Sequence, residues 1–313
     1  MITDYAAGID VGGTFVKYAF ADPEGNIGFS SKLPVKEHAS VQEVISLIRQ
    51  AIDDCRKQVG ERGGRLVGAG IGFPGIVSDG IVVGGADNLT GFDNIPLAEI
   101  ISRQTGIKTV VADNDANMMG WGEVMYGCAE HISDAVFLTI GTGIGGAMIV
   151  NGEIYGGYGN RGAELGHIIV EKGGLACSCG GTGCLEAYAS TRALITRYAR
   201  VKGKDNTGIS GEILVRDYLD GDPEAIAVMN WHFDYLAAGI AGLVNIFSPQ
   251  RVIIGGGIAQ AGDFYIEALR ARTSVLAMRD AIANTLIVAA KLGNLAGCLG
   301  SAGRVFSLKS DSI

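Results

Sequence analysis

The sequence is poor in proline, with 6 in 313 residues, and its 49 glycines follow no three-residue period, which excludes a collagen-like chain. Stretches rich in Val, Ile and Ala surround those glycines, so low-complexity disorder is excluded as well. An excess of positive charge is also lacking. Lys and Arg number 25 against 33 Asp and Glu, for a net charge of -8, a balance that offers no field to hold DNA or an anionic membrane. No cationic segment opens the chain: residues 1–10 carry two aspartates and enter a strand pattern by Gly8, so no secretory leader is expected. The uncharged run 135–152 reaches transmembrane length, but Gly141, Gly143, Gly145, Gly146 and the polar Thr139, Thr142 and Asn151 interrupt it, and it reads as a hairpin. The 6 cysteines do not suit a disulfide framework. Cys177, Cys179 and Cys184 fall close together while Cys55, Cys128 and Cys298 are scattered in apolar surroundings, which fits one metal site and reduced core thiols in a cytoplasm.

What is present is length for about two domains, each able to bury a core. The apolar run 6–10 ends in Gly12, Gly13 and Thr14, strand pattern resumes over 15–21, and Asp22-Pro23-Glu24-Gly25 makes a turn. The same unit recurs at 135–140, the tip Gly141-Thr142-Gly143-Ile144-Gly145 and the strand 147–150. The two copies begin about 129 residues apart, which predicts two lobes of similar architecture. Between them, Ser40 and Glu43 form a capping box for a helix of about 19 residues, with Val41, Val44, Ile45, Ile48, Ile52, Cys55 and Val59 on one face. Strands over 66–72 and 109–112 and a helix over 96–104 complete an α/β lobe with a mixed sheet. Helices are predicted over 184–200, 223–247 and 263–276, a strand over 251–254 runs into Gly255-Gly256-Gly257, and a helix over 295–307 returns to the first lobe. The expected domains are 1–113 with about 295–313, and 114–294.

Asp10-Val11-Gly12-Gly13-Thr14 follows a strand directly, so backbone N–H groups at the turn can converge on an anion without Cβ atoms in the way. It is neither a P-loop nor the dinucleotide fingerprint, because the Lys-Ser/Thr spacing is missing and a strand follows where a helix is needed. An ordinary tight hairpin accounts for one such loop. Its recurrence at Gly141, Thr142 and Gly143, with a third loop at Gly256 and Gly257, points to two nests for the β- and γ-phosphates and a loop beside the nucleoside. Asp10 then stands where a Mg²⁺ hydrate is needed, and Lys17 can approach a phosphate as a point charge.

His167, Cys177, Cys179 and Cys184, with glycines between the cysteines, match the Cys₃His set of a structural zinc site, whose closed shell leaves no position for an activated water. Glu164 and Glu186 flank that cluster, and with Asn88 and Asn114 they make a hydrogen-bonding set suited to a polyol. After the strand 110–112, one of Asp113, Asn114 and Asp115 is a helix N-cap; the functional alternative is that Asp115 accepts a proton from a substrate hydroxyl attacking a phosphate.

Together these motifs resemble the ROK family of bacterial sugar kinases and repressors, within the actin-like ATPase superfamily, and the resemblance spans almost the whole chain. It implies a two-lobed actin-like ATPase (ribonuclease H-like) fold, with duplicated mixed-sheet domains around an interlobe cleft. It further implies ATP, a catalytic Mg²⁺, a structural Zn²⁺ and a cytoplasmic homodimer. Asp115 is then the catalytic base, and Asn88, Asn114, Asp115, Glu164, His167 and Glu186 contact the sugar, His167 using one ring nitrogen on zinc and the other toward a hydroxyl. The implied reaction is phosphorylation of a hexose 6-hydroxyl, glucose first. N-acetylmannosamine or another hexose is the alternative substrate, and a non-catalytic sugar sensor the alternative role. Asn88-Leu89-Thr90-Gly91-Phe92 departs from the family, which often has Pro and Trp at the third and fifth positions, so the sugar pocket is expected to differ. Asp10 stands too early for a DNA-binding helix-turn-helix before it, so a repressor is not expected. Most of the glycine excess, about 16% against a usual 7%, is assigned to the phosphate nests, the sugar loop and the zinc knuckle.

Overall fold

The computed structural model describes residues 2–86 and 89–310, with side chains as far as Leu308. The chain divides into two compact units, one comprising Met1–His131, Ile154–Gly162 and Asn294–Ile313, the other Ile132–Glu153 and Ala163–Gly293. Among the described residues, no helix is long and apolar enough to cross a membrane.

The first unit contains, in chain order, β1 (Asp4–Val11), β2 (Phe15–Ala21), β3 (Ile27–Pro34), α1 (Val41–Glu61), β4 (Arg65–Phe73), β5 (Ile76–Ser78), β6 (Ile81–Gly84), α2 (Leu97–Thr105), β7 (Val110–Asn114) and α3 (Asp115–Tyr126). Its sheet runs β3-β2-β1-β4-β7, antiparallel across the first three strands and parallel from β1 to β7, while β5 and β6 form a separate ribbon. The central strands β1 and β4 are buried along most of their length because helices cover both faces, so they read as near-continuous apolar runs. On one side lies α1, started by the expected capping box: Ser40 Oγ accepts from the Glu43 N–H at 3.3 Å, and the Ser40 N–H donates to Glu43 Oε2 at 2.9 Å. The C-terminal helix, Ala296–Ser310, packs against β1, β4 and α3 through small residues. A β-carbon on Gly8 would lie 1.8 Å from the Cys298 carbonyl oxygen, and one on Gly70 1.8 Å from that of Ser301. The backbones there are already in contact.

The second unit holds β8 (Ala135–Ile140), β9 (Ile144–Val150), β10 (Glu153–Ile154), α4 (Leu185–Ala189), α5 (Thr191–Val201), α6 (Gly211–Leu219), α7 (Pro223–Phe247), β11 (Arg251–Gly255), α8 (Asp263–Leu276), α9 (Arg279–Ile282) and β12 (Leu286–Ala289). Its sheet, β10-β9-β8-β11-β12, repeats the first: an antiparallel hairpin extended by parallel strands. The two glycine-tipped hairpins of the sequence are β1–β2 and β8–β9. Val228, Met229, Phe233, Leu236 and Ile240 of α7 form one core with Leu138, Val252 and Ile254 of the sheet. His232 is enclosed there, its Nε2 2.6 Å from the Tyr265 hydroxyl, and burial pushes its pKa down to about 3, so the ring is neutral.

The helix expected over 184–200 is two helices. Ser190 adopts extended backbone (φ -70°, ψ 155°) and caps α5 by accepting from the Ala193 N–H at 3.2 Å. The Thr191 N–H leaves the helical ladder for the Gly141 carbonyl at 2.8 Å, which ties the start of α5 to the second hairpin tip.

Candidate functional site

In the first unit, Asp10 and Lys17 are directly opposed across β1 and β2, so their side chains share a face next to the turn. The turn closes with the Gly12 N–H on the Phe15 carbonyl at 3.0 Å and leaves Gly13 and Thr14 exposed. Asp10 is only 5% exposed, and Lys17 Nζ lies 3.2 Å from its Oδ2. The cation expected at a phosphate is therefore paired with Asp10. Gly297 makes the space for that carboxylate, since a β-carbon there would fall 2.9 Å from Asp10 Cγ.

In the second unit, Gly141 donates to the Gly143 carbonyl at 2.9 Å, and Thr142 is exposed at the tip. Gly256 has φ +92°, and its β-carbon would lie 2.1 Å from the Ile140 carbonyl oxygen, so only glycine lets the third loop seat against the end of β8. The second and third glycine loops thereby border one cavity of about 780 Å³, lined by Gly141, Thr142 and Gly257 and by residues of α5 and α6. Ile195, Val215, Leu219 and Ile258 give it apolar walls; Arg192, Thr196, Glu212 and Arg216 give it polar groups. The Ser210 hydroxyl and the Glu212 N–H hold the Glu212 carboxyl below its ordinary range, so it is a carboxylate there. None of these polar residues stands in a recognisable motif. The signal available was spacing: Glu212, Val215, Arg216 and Leu219 recur at i, i+3, i+4 and i+7, a helical face that mixes charge with apolar surface.

The four residues expected as metal ligands lie close together. The donor atoms of His167, Cys177, Cys179 and Cys184 lie within 4.8 Å of one another, with His167 Nδ1 3.5 Å from Cys177 Sγ and Cys179 Sγ 3.6 Å from Cys184 Sγ. Zinc bonds of about 2.3 Å to sulfur and 2.0 Å to nitrogen set tetrahedral edges of roughly 3.5 to 3.8 Å, so the donors fit that ion. The knuckle turns tightly: Cys177 donates to the Gly181 carbonyl at 2.9 Å, and a β-carbon on Gly183 would meet the Glu171 carbonyl oxygen at 1.9 Å. The Gly181 backbone holds the Cys179 thiol below its ordinary pKa, while burial pushes Cys184 up to about 12. Glu186 is buried beside the cluster and joins it to the second hairpin. Its Oε1 accepts from the Ser178 hydroxyl at 2.9 Å, and its Oε2 accepts from the Ile144 N–H at 2.9 Å. Glu164 is exposed, and its carbonyl accepts from the His167 N–H at 3.0 Å.

At the end of β7 the N-cap of α3 is Asn114, whose Oδ1 accepts from the N–H groups of Ala116 at 2.9 Å and Asn117 at 3.2 Å. Its Nδ2 donates to the Gly75 carbonyl at 2.9 Å. Asp115, half-buried in the first turn of α3, accepts from the Ala116 N–H at 2.9 Å. Asn88 lies outside the described residues.

The ROK family signature matches residues 6–305. The glucokinase of Thermotoga maritima is 33% identical over 308 residues, which cover 94% of this chain and 95% of that protein. A ROK hexokinase from Thermus thermophilus is 29% identical, covers 98% of this chain and 99% of its own, and superposes with a TM-score of 0.84. A ROK glucokinase from Streptomyces griseus, solved with glucose and AMPPNP, is 29% identical with a TM-score of 0.79 over 97% of this chain and 99% of its own. With its duplicated mixed sheets, glycine hairpins and Cys₃His cluster, the chain belongs to the ROK family and has its two-lobed actin-like ATPase fold.

Proposed function

We propose that this protein is an ATP-dependent sugar kinase that phosphorylates the 6-hydroxyl of a hexose, glucose before others. The observation that carries this reading is the cavity bordered by Gly141, Thr142 and Gly257. Its volume of about 780 Å³ suits a nucleoside, its apolar walls offer faces to a base, and a glycine hairpin tip admits the phosphates. Asp10 would hold the hydrated Mg²⁺ that accompanies ATP; the Lys17 ammonium 3.2 Å from its Oδ2 supports a cation beside that carboxylate. When bound, that ion neutralises charge on the phosphates.

Asp115 is the proposed base. As the bond from the sugar O6 to the γ-phosphorus forms and the bond from that phosphorus to the β–γ bridging oxygen breaks, the O6 proton passes to the Asp115 carboxylate and ADP departs. Asn88, Asn114, Glu164, His167 and Glu186 are the proposed sugar contacts. His167 turns Nδ1 to the cysteines, which leaves Nε2 for a hydroxyl. Zinc held by His167, Cys177, Cys179 and Cys184 would fix that ring and take no part in the chemistry. A cytoplasmic homodimer completes the reading.

Chelation, or Cys179→Ser, is expected to remove bound zinc and raise the KM for sugar about tenfold or more, with the KM for ATP little changed. Metal content and steady-state kinetics on the same sample check this, and an unchanged sugar KM in zinc-free protein would reject the coupling. The function is tested by sugar-dependent ADP release over glucose, N-acetylmannosamine, N-acetylglucosamine, mannose, allose and fructose. Glucose is expected to give the highest kcat/KM; a hexosamine ahead of it would reassign the substrate, and no sugar dependence at all would reject the kinase.

A further inference from the structure

Asn160 has φ +54° and Ala163 φ +62°, a left-handed backbone that non-glycine residues seldom adopt. Two such residues in one short segment keep their shape only where surrounding contacts over-determine it. At Asn160 those contacts are visible. Its Nδ2 donates to the Val77 carbonyl in β5 and to Asp113 Oδ1, at the end of β7, at 2.9 Å in the latter case. The same Asp113 oxygen accepts from the Asn114 N–H at 2.6 Å and from Asn117 Nδ2 at 3.0 Å. Gly156 leaves room for the amide, since a β-carbon there would lie 1.5 Å from Asn160 Oδ1. The Gly162 N–H then closes the loop on the Gly156 carbonyl at 2.7 Å.

We propose that Asn160 is a positioning residue for phosphoryl transfer, fixing through Asp113 the turn that carries Asp115. The inference rests on Asp115 being the base. Three N–H donors converge on one Asp113 oxygen and pin the backbone on both sides of Asp115. Without the Asn160 amide, Asp113 keeps two of those donors and its carboxylate can rotate away from the turn. A base displaced by about 1 Å can lose up to roughly 10²-fold in rate. Anchoring of the loop alone would appear in stability and leave turnover intact.

Asn160→Gly is the informative variant, because glycine accepts the positive φ and removes only the amide. It is expected to lower kcat by about 10- to 100-fold, with the KM for ATP within about threefold of the parent. Asp113→Ala is expected to lower kcat as well, and Asn160→Gly added to it should cost no further turnover if the amide acts through Asp113. Amide hydrogen exchange over residues 113–117 should quicken at least about tenfold in Asn160→Gly. If the parent protein turns over and Asn160→Gly matches its kcat, the inference is overturned and the kinase stands. If the parent shows no turnover, the kinase reading falls, and unchanged exchange over 113–117 would overturn the placement of Asn160 as well.

Discussion

Asp115→Asn is expected to lower kcat by about 10³-fold while the KM for sugar stays within about threefold. Asparagine keeps the size of the side chain and an oxygen to accept the Ala116 N–H, now 2.9 Å from Asp115 Oδ1, so the first turn of α3 has no reason to move. What it lacks is a site to receive the sugar O6 proton. The neighbouring acids do not substitute for it: Asp113 is engaged by Asn114, Asn117 and Asn160 on one oxygen. An Asp115→Asn protein with kcat within about tenfold of the parent would remove the base from this account.

Gly300→Ala is expected to cost at least about 3 kcal/mol of stability, a fall in Tm of roughly 6 to 12 °C. A β-carbon at 300 would lie 1.7 Å from the Met118 carbonyl oxygen and 2.7 Å from the Gly122 nitrogen, both backbone atoms of α3. No rotamer change relieves such a contact, so the C-terminal helix must lift away. That also opens its close approaches at Gly8 and Gly70, where β-carbons would each meet a helix carbonyl oxygen at 1.8 Å. Gly60→Ala, inside α1 with nothing within 4 Å of its β-carbon, is the matched control and should raise stability by up to about 1 kcal/mol. Thermal unfolding of the two variants beside the parent checks both signs; a Gly300→Ala protein as stable as the parent would show that the helix is not so tightly seated.

The C-terminal helix also marks where the sequence was hard to read. Glycine excess looks like loop chemistry, and Gly12, Gly141, Gly180 and Gly256 do lie in the hairpins, knuckle and third loop. Gly8, Gly70, Gly122 and Gly300 instead lie within strands and helices, where they let two backbones approach. That role depends on a partner about 290 residues away for Gly8, and no local pattern reveals it. The hairpins, the capping box and the Cys₃His cluster were legible because each is closed by residues near in sequence. The strand β3 was not, being largely exposed and so without an apolar run. The break between α4 and α5 was hidden because its cause, the Gly141 carbonyl, stands 50 positions from Thr191. Asn160 had no local signal, because the partners of its amide, Asp113 and Val77, stand 47 and 83 positions away.

The most direct measurement of the central claim is ADP release on adding glucose to the protein with Mg²⁺ and ATP, followed by identification of the sugar product. The account predicts ADP formed only with sugar present, one per sugar phosphorylated, and an ester at the 6-hydroxyl. ADP release that ignores glucose and every other hexose offered, or phosphate found on a different hydroxyl, would contradict it.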